Sequence, residues 1–119
     1  MIDTSVLIEY SKAKKLELLD GSYISVITLS EFLRYYRSDE MRERIKSLLE
    51  SFFRIIELDN DVILTYCKLY RSLKERGMMI GDADLIIASS AIAKNLVLYT
   101  FDLKHFERLE KFGLKLWRC

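Results

Sequence analysis

Proline is absent and glycine occurs only four times among the 119 residues, so no Pro-, Gly- or Ser-rich stretch divides the chain into parts. Half of the residues are hydrophobic and 31% are charged, which leaves little support for a disordered or low-complexity protein. No internal repeat is visible. A chain of this length buries roughly two-thirds of its unfolded surface around one core, and residues 1–119 are expected to form a single domain.

Cysteine is scarce as well. Cys67 lies in an apolar helical pattern and Cys119 is the last residue; together they offer neither metal-type spacing nor a disulfide framework, and a reducing cytoplasm fits best. The longest nearly uncharged run, residues 85–93, is about half of what a bilayer span needs. The N-terminus lacks a basic region followed by an apolar one, so no membrane or export signal is visible. An excess of one charge is also missing: the formal net charge is +1, and any nucleic-acid contact has to be local rather than a whole basic face. Lys12, Lys14 and Lys15, Arg34 and Arg37, Arg42, Arg44 and Lys46, and Lys68, Arg71, Lys74 and Arg76 form clusters that read as solvated helix faces.

The single histidine, His105, sits in a Lys104-His105-Phe106 segment and reads as a surface or lightly packed side chain rather than a general base. There is no Walker-type glycine loop, no Gly-x-Gly-x-x-Gly and no Gly-x-Ser-x-Gly elbow. Nucleotide hydrolysis, dinucleotide redox chemistry and serine hydrolysis all lose ground.

What is present alternates. Met1 and Ile2 look like the end of a short buried strand, and a short helix follows that carries Val6, Leu7, Ile8 and Tyr10. Tyr23 to Val26 read as a second strand, after which Thr28 or Ser30 caps a helix through Arg37. Ser38 or Asp39 caps the next helix, reaching about Phe53. Ile55 to Leu58 are a third strand candidate. Asp59 starts a helix whose apolar residues Val62, Ile63, Tyr66, Leu69, Tyr70 and Leu73 recur at helical spacing, and Gly77 ends it. Ala83 to Lys94 form a helix apolar nearly all round, which should be central. Leu96 to Thr100 make a fourth strand, Asp102 to Phe106 a helical turn, and Leu114 to Trp117 a last strand. Strands alternating with helices argue for a mostly parallel sheet between helical layers, because parallel strands need crossover connections.

Four acids stand where such a sheet gathers functional groups, beyond the strands' carboxyl ends. Asp3 follows the first strand and Asp102 the fourth, Glu31 lies on the helix after the second strand, and Asp84 occupies the first turn of the most apolar helix. Each alone reads as a cap or solvent-facing residue. All four together occupy element junctions or interrupt apolar surroundings, where a cation would offset carboxylates brought together. An all-carboxylate set suits Mg²⁺ or Mn²⁺ rather than Zn²⁺, and the natural chemistry of such a site is phosphodiester hydrolysis.

The motifs that carry these acids resemble a known family over nearly the whole chain. Met-Ile-Asp-Thr-Ser-Val-Leu-Ile, with Asp3 and Ser5, is similar to the first motif of PIN domains of the VapC type, the ribonuclease toxins of toxin–antitoxin pairs. Thr-Leu-Ser-Glu-Phe resembles the second, with Glu31. Ile-Gly-Asp-Ala-Asp-Leu-Ile-Ile-Ala resembles the third and aligns the family acid on Asp84, leaving Asp82 as a neighbour on the opposite helix face and the helix cap. Leu-Tyr-Thr-Phe-Asp-Leu-Lys-His-Phe resembles the fourth, with Thr100 and Asp102. The family usually has a few more residues before its first Asp, so the first strand is expected to be nearly absent.

The resemblance implies a three-layer α/β/α sandwich in which Asp3, Glu31, Asp84 and Asp102 converge on one or two Mg²⁺ or Mn²⁺ ions, with Ser5 and Thr100 orienting water there. It implies single-stranded or loop RNA as substrate, gripped by nearby Lys and Arg, a small antitoxin protein as partner and a symmetric homodimer. Tyr35, Tyr36, Phe52 and Phe53 supply apolar residues for the protein contacts. Tyr35, Tyr36 and Phe101 are candidates for base stacking but read more simply as packing residues. The alternatives are a non-catalytic PIN-like module that binds RNA or protein, a receiver-type phosphoacceptor, which would need an acidic pair and a lysine not evident here, and an aspartyl phosphatase, which would want an acid where Ser5 stands.

Overall fold

The computed structural model describes residues 1–118, so Cys119 lies outside the described residues. Its elements follow in the order α1 (Thr4–Lys12), β1 (Tyr23–Ser25), α2 (Val26–Leu33), α3 (Asp39–Phe52), β2 (Arg54–Ile56), α4 (Asn60–Glu75), α5 (Asp82–Ala93), β3 (Val97–Leu98), α6 (Leu103–Phe106) and β4 (Lys115–Leu116), with 3₁₀ turns at Leu16–Leu19 and Glu107–Phe112.

Each strand pair is parallel: β1 with β2 in the register Ile24 to Ile55, and β3 with β4 in the register Leu98 to Leu116. The N-terminal residues join the two pairs. Ile2 donates its N–H to the Tyr23 carbonyl at 2.9 Å on one side, while on the other Tyr99 N–H reaches the Met1 carbonyl at 2.8 Å and Asp3 N–H the Tyr99 carbonyl at 3.2 Å. Ile2 and Tyr99 thus form a parallel bridge, and the expected first strand is reduced to that bridge. Parallel pairing forces every connection through a helix, which accounts for the helix-rich composition of the fold.

Helices cover the sheet with two apolar clusters. Ile2, Val6, Leu7, Ile24, Leu29, Phe32, Leu33, Leu49 and Phe53 join α1, α2 and α3 to the sheet, and Leu69, Leu73, Leu85, Ile87, Ala88, Leu98, Phe106 and Leu109 join α4, α5 and α6 to it. The α/β class with helical layers on a parallel sheet is what the alternation of elements implied. Helix α5 is the central one, with Leu85, Ile87, Ala88, Ser89, Ser90 and Ala91 all buried. Its two buried serines bond back to carbonyls one turn earlier, Ser89 to Leu85 at 2.7 Å and Ser90 to Ile86 at 2.8 Å, so their hydroxyls cost little to bury.

Several boundaries differ from the sequence-based expectation, each for a local reason. Helix α2 begins at Val26 because the Ser25 hydroxyl takes the Ile27 N–H at 3.0 Å. Thr28 and Ser30 are therefore inside the helix: Ser30 bonds back to the Val26 carbonyl, and Thr28 is buried facing α1. The helix stops at Leu33 instead of Arg37. Helix α5 begins at Asp82, with Gly81 in the cap position and no side-chain cap bond, so Asp82 is not the cap. The segment after α6 continues as a 3₁₀ turn to Phe112, which the irregular apolar spacing there did not signal. Gly77, at φ +66°, follows α4 in the left-handed conformation that glycine adopts without strain. Cys67 is exposed and unpaired on α4. No helix among the described residues is long and apolar enough to cross a membrane.

Candidate functional site

The bridge that replaces the first strand delivers Asp3 to the carboxyl edge of the sheet as the N-cap of α1. Its carboxylate is buried, with a relative exposure of 4%, and its oxygens are divided among three donors. Oδ1 accepts from Val6 N–H at 3.1 Å and from the Ser5 hydroxyl at 2.7 Å; Oδ2 accepts from the Thr100 hydroxyl. These donors and the helix N-terminus fix the orientation of the carboxylate.

Thr100 ties the first acid to the last. Its hydroxyl also accepts the Asp102 N–H at 2.9 Å, so Asp3 and Asp102, ninety-nine residues apart, meet through one side chain. The Asp102 carboxylate itself is exposed and makes no cap bond to α6. Ser5 closes a second link by accepting the Phe101 N–H at 3.2 Å. Ser5 and Thr100, expected to orient water, direct their hydroxyls at Asp3. Removing the Thr100 hydroxyl would strip the buried Oδ2 of its donor, a loss of about 1–3 kcal/mol, whereas Oδ1 would keep Val6 N–H without Ser5.

Glu31 reaches the same region from α2. Its Oε1 accepts from the Thr4 hydroxyl at 2.6 Å, and that hydroxyl also contacts Thr28 Oγ1 at 3.2 Å. Asp84 approaches from the first turn of α5, where its Oδ2 lies 3.0 Å from Nε2 of His105 on α6. Burial pushes the Asp84 carboxyl above its ordinary range; His105 opposes that shift, and the negative charges of Glu31 and Asp3 add to it. Asp3, Glu31 and Asp84 therefore share one field, and the Asp102 backbone is joined to it through Thr100.

The paired acids of α5 separate. Asp82 accepts from the Tyr66 hydroxyl of α4 at 3.0 Å and Asp84 faces His105, as residues two apart on a helix must diverge. Two participants escaped the sequence reading. Thr4 carries no signal beyond following Asp3. His105 carries none either, because its partner Asp84 lies twenty-one residues away on a different helix.

No group of three or more His, Cys, Asp or Glu side chains among the described residues is drawn together tightly enough to hold a metal ion as it stands. The donor chemistry nevertheless fits a hard divalent cation. Three carboxylates face one region, the half-buried one is destabilised by the charges of the others, and neither a thiol nor a lysine neutralises them.

Comparison with known proteins points the same way. Residues 1–111 match the family model of the PIN domain. The chain is 48% identical to Ribonuclease VapC1 of Methanocaldococcus jannaschii over 117 residues, covering 98% of this chain and 85% of that one. It is 34% identical to Ribonuclease VapC2 of Rickettsia felis over 97 residues, covering 79% and 72% of the two chains. Among solved structures it resembles VapBC-1 from nontypeable Haemophilus influenzae, with a TM-score of 0.82 at 28% identity and coverage of 98% and 95%. A second likeness is VapBC2 from Rickettsia felis bound to a DNA fragment from their promoter, with a TM-score of 0.74 at 27% identity and coverage of 99% and 98%.

Proposed function

The chain belongs to the PIN-domain family, among the VapC ribonucleases, and from that premise we propose that it is a divalent-cation-dependent endoribonuclease acting as the toxin of a toxin–antitoxin pair. The observation that carries this reading is the Asp84 carboxyl, held above its usual range by burial and by the nearby charges of Glu31 and Asp3. A cation beside such a carboxyl would offset both the burial penalty on its charged form and the repulsion from its acidic neighbours.

Asp3, Glu31 and Asp84 would hold Mg²⁺ or Mn²⁺, with Asp102 completing the acidic edge. When bound, the ion supplies charge neutralisation and Lewis-acid activation at a phosphodiester. The chain's own residues do the positioning. Ser5, Thr100 and the Val6 N–H fix Asp3, Thr4 fixes Glu31, and His105 fixes Asp84. Side chains held this way have less freedom to lose when an ion draws them together.

RNA with unpaired nucleotides suits an open edge better than a duplex, because a single strand bends its phosphates toward the acids while its bases splay aside. The partner is a small antitoxin protein, in keeping with the VapBC complexes that the fold resembles; the toxin pairs as a homodimer of single PIN domains and works in the cytoplasm. The test is cleavage of a mixed pool of labelled RNAs with Mg²⁺ or Mn²⁺, beside EDTA and an Asp84→Asn variant. Metal-dependent cleavage lost in the variant supports the reading. Intact RNA in every lane, from protein shown to bind Mn²⁺ and free of antitoxin, overturns the catalytic reading in favour of a binding module.

A further inference from the structure

An aromatic ladder leads away from the acidic edge. Phe101 lies between Thr100 and Asp102, and its N–H is bonded to the Ser5 hydroxyl that also holds Asp3. Its ring runs nearly parallel to that of Tyr10, at 7° with centroids 6.4 Å apart, and meets Tyr99 edge-on at 5.4 Å. Tyr99 in turn meets Trp117 at 4.8 Å. The rings are thus fixed by one another, yet Phe101 remains 53% exposed and Trp117 45%. Isolated exposed apolar residues need no explanation, whereas a connected set of exposed rings one residue from a carboxylate cluster does.

Beside Phe101 opens a cleft of about 340 Å³ lined by Glu9, Tyr10, Ala13, Lys15, Leu18 and Phe101. Its wall is mainly apolar and aromatic, and its charge is cationic in effect. Glu9 is paired with Lys12 at 3.9 Å, while Lys15 and its neighbour Lys14 have no ion-pair partner among the described residues. A flat apolar ligand carrying negative charge matches this combination.

We propose that Phe101, with Tyr10 beneath the same cleft, is the stacking platform for an unpaired nucleobase of the RNA strand, the adjoining phosphate resting against Lys14 and Lys15. The proposal rests on the ribonuclease reading and adds to it a subsite and a substrate requirement: a base flanking the scissile phosphate must be free to leave its helix. Stacking is indifferent to base identity because every base has a π-face. The site therefore selects single-stranded over duplex RNA without selecting sequence.

The experiment measures binding by fluorescence anisotropy in the Asp84→Asn background, where the strand stays intact. Probes are a short labelled single-stranded RNA, the same RNA annealed to its complement, and a strand carrying abasic sites. The parent protein should prefer the base-bearing single strand to the abasic one. Phe101→Ala and Phe101→Leu should each bind the base-bearing strand about tenfold more weakly, in keeping with the worth of one base–aromatic stack, and bind the abasic strand unchanged. Phe101→Trp should restore the preference. Phe101→Leu keeps apolar bulk without a π-face, so a merely structural role would spare it. Unchanged RNA affinity in both variants, with the wild-type protein cleaving RNA, overturns the platform and leaves the nuclease standing. A parent protein that binds no RNA, together with a wild type that cleaves none, overturns both.

Discussion

His105 Nε2 and Asp84 Oδ2 lie 3.0 Å apart, joining α6 to the first turn of α5. The carboxylate has two oxygens, and this bond occupies one of them while the group as a whole feels the charges of Glu31 and Asp3. Its value lies in orientation: a carboxylate free to rotate would spread its charge over several positions, and one held by an imidazole presents a fixed lone pair. Outer partners of this type are worth about tenfold or more in metal affinity. Calorimetric titration of the RNA-free protein with Mn²⁺ should show binding weakened by about that factor in His105→Ala and partly recovered in His105→Gln, whose amide still donates. Equal affinity in all three proteins would remove His105 from the site.

The field at Asp84 predicts how stability depends on pH without metal. Burial raises this carboxyl above its ordinary range, and the charges of Glu31 and Asp3 contribute in the same direction, with His105 opposing. Between the ordinary aspartate range and the raised value the folded state therefore holds more protons than the unfolded one. The contribution of Asp84 to stability is fully present below the ordinary range and is lost as pH rises through the raised value. In EDTA, Asp84→Asn should gain Tm relative to the wild type on going from about pH 4 to about pH 7, since the amide carries no charge to bury. Added Mg²⁺ should raise the wild-type Tm by mass action and the variant's by less. A Tm difference that shrinks toward neutral pH would contradict this account.

The layered α/β fold was legible because its signals are periodic and local. The apolar residues of α4 recur at helical spacing, and Ser38 and Asp59 cap their helices as their types suggest. The exceptions share a cause. Ser25 caps α2 from inside what reads as a strand, because only the turn of the backbone decides whether its hydroxyl reaches Ile27 N–H. The motifs pointed to Asp3, Glu31 and Asp84, whose charges the structure brings into one field, whereas what holds them was not legible. Thr4 bonds Glu31 across twenty-seven residues and Thr100 bonds Asp3 across ninety-seven; no spacing rule spans such distances, and a hydroxyl leaves no mark on a hydrophobic pattern.

Lys14 and Lys15, without ion-pair partners among the described residues, would let a nearly neutral chain grip a polyanion. With a formal net charge of +1, long-range attraction is weak, and affinity has to come from cations close to the strand that are not already neutralised by carboxylates. Each phosphate contact with a single strand releases about 0.7 counterion, which appears as the slope of log K against log salt. Wild-type binding to single-stranded RNA should therefore weaken steadily with KCl, and Lys15→Gln should reduce the slope by about 0.7 while leaving Tm unchanged. The same charge removed from Lys94, which is bonded to Asp59, should leave the slope where it was. A slope insensitive to Lys15 would mean that the strand's phosphates do not pass the cleft beside Phe101.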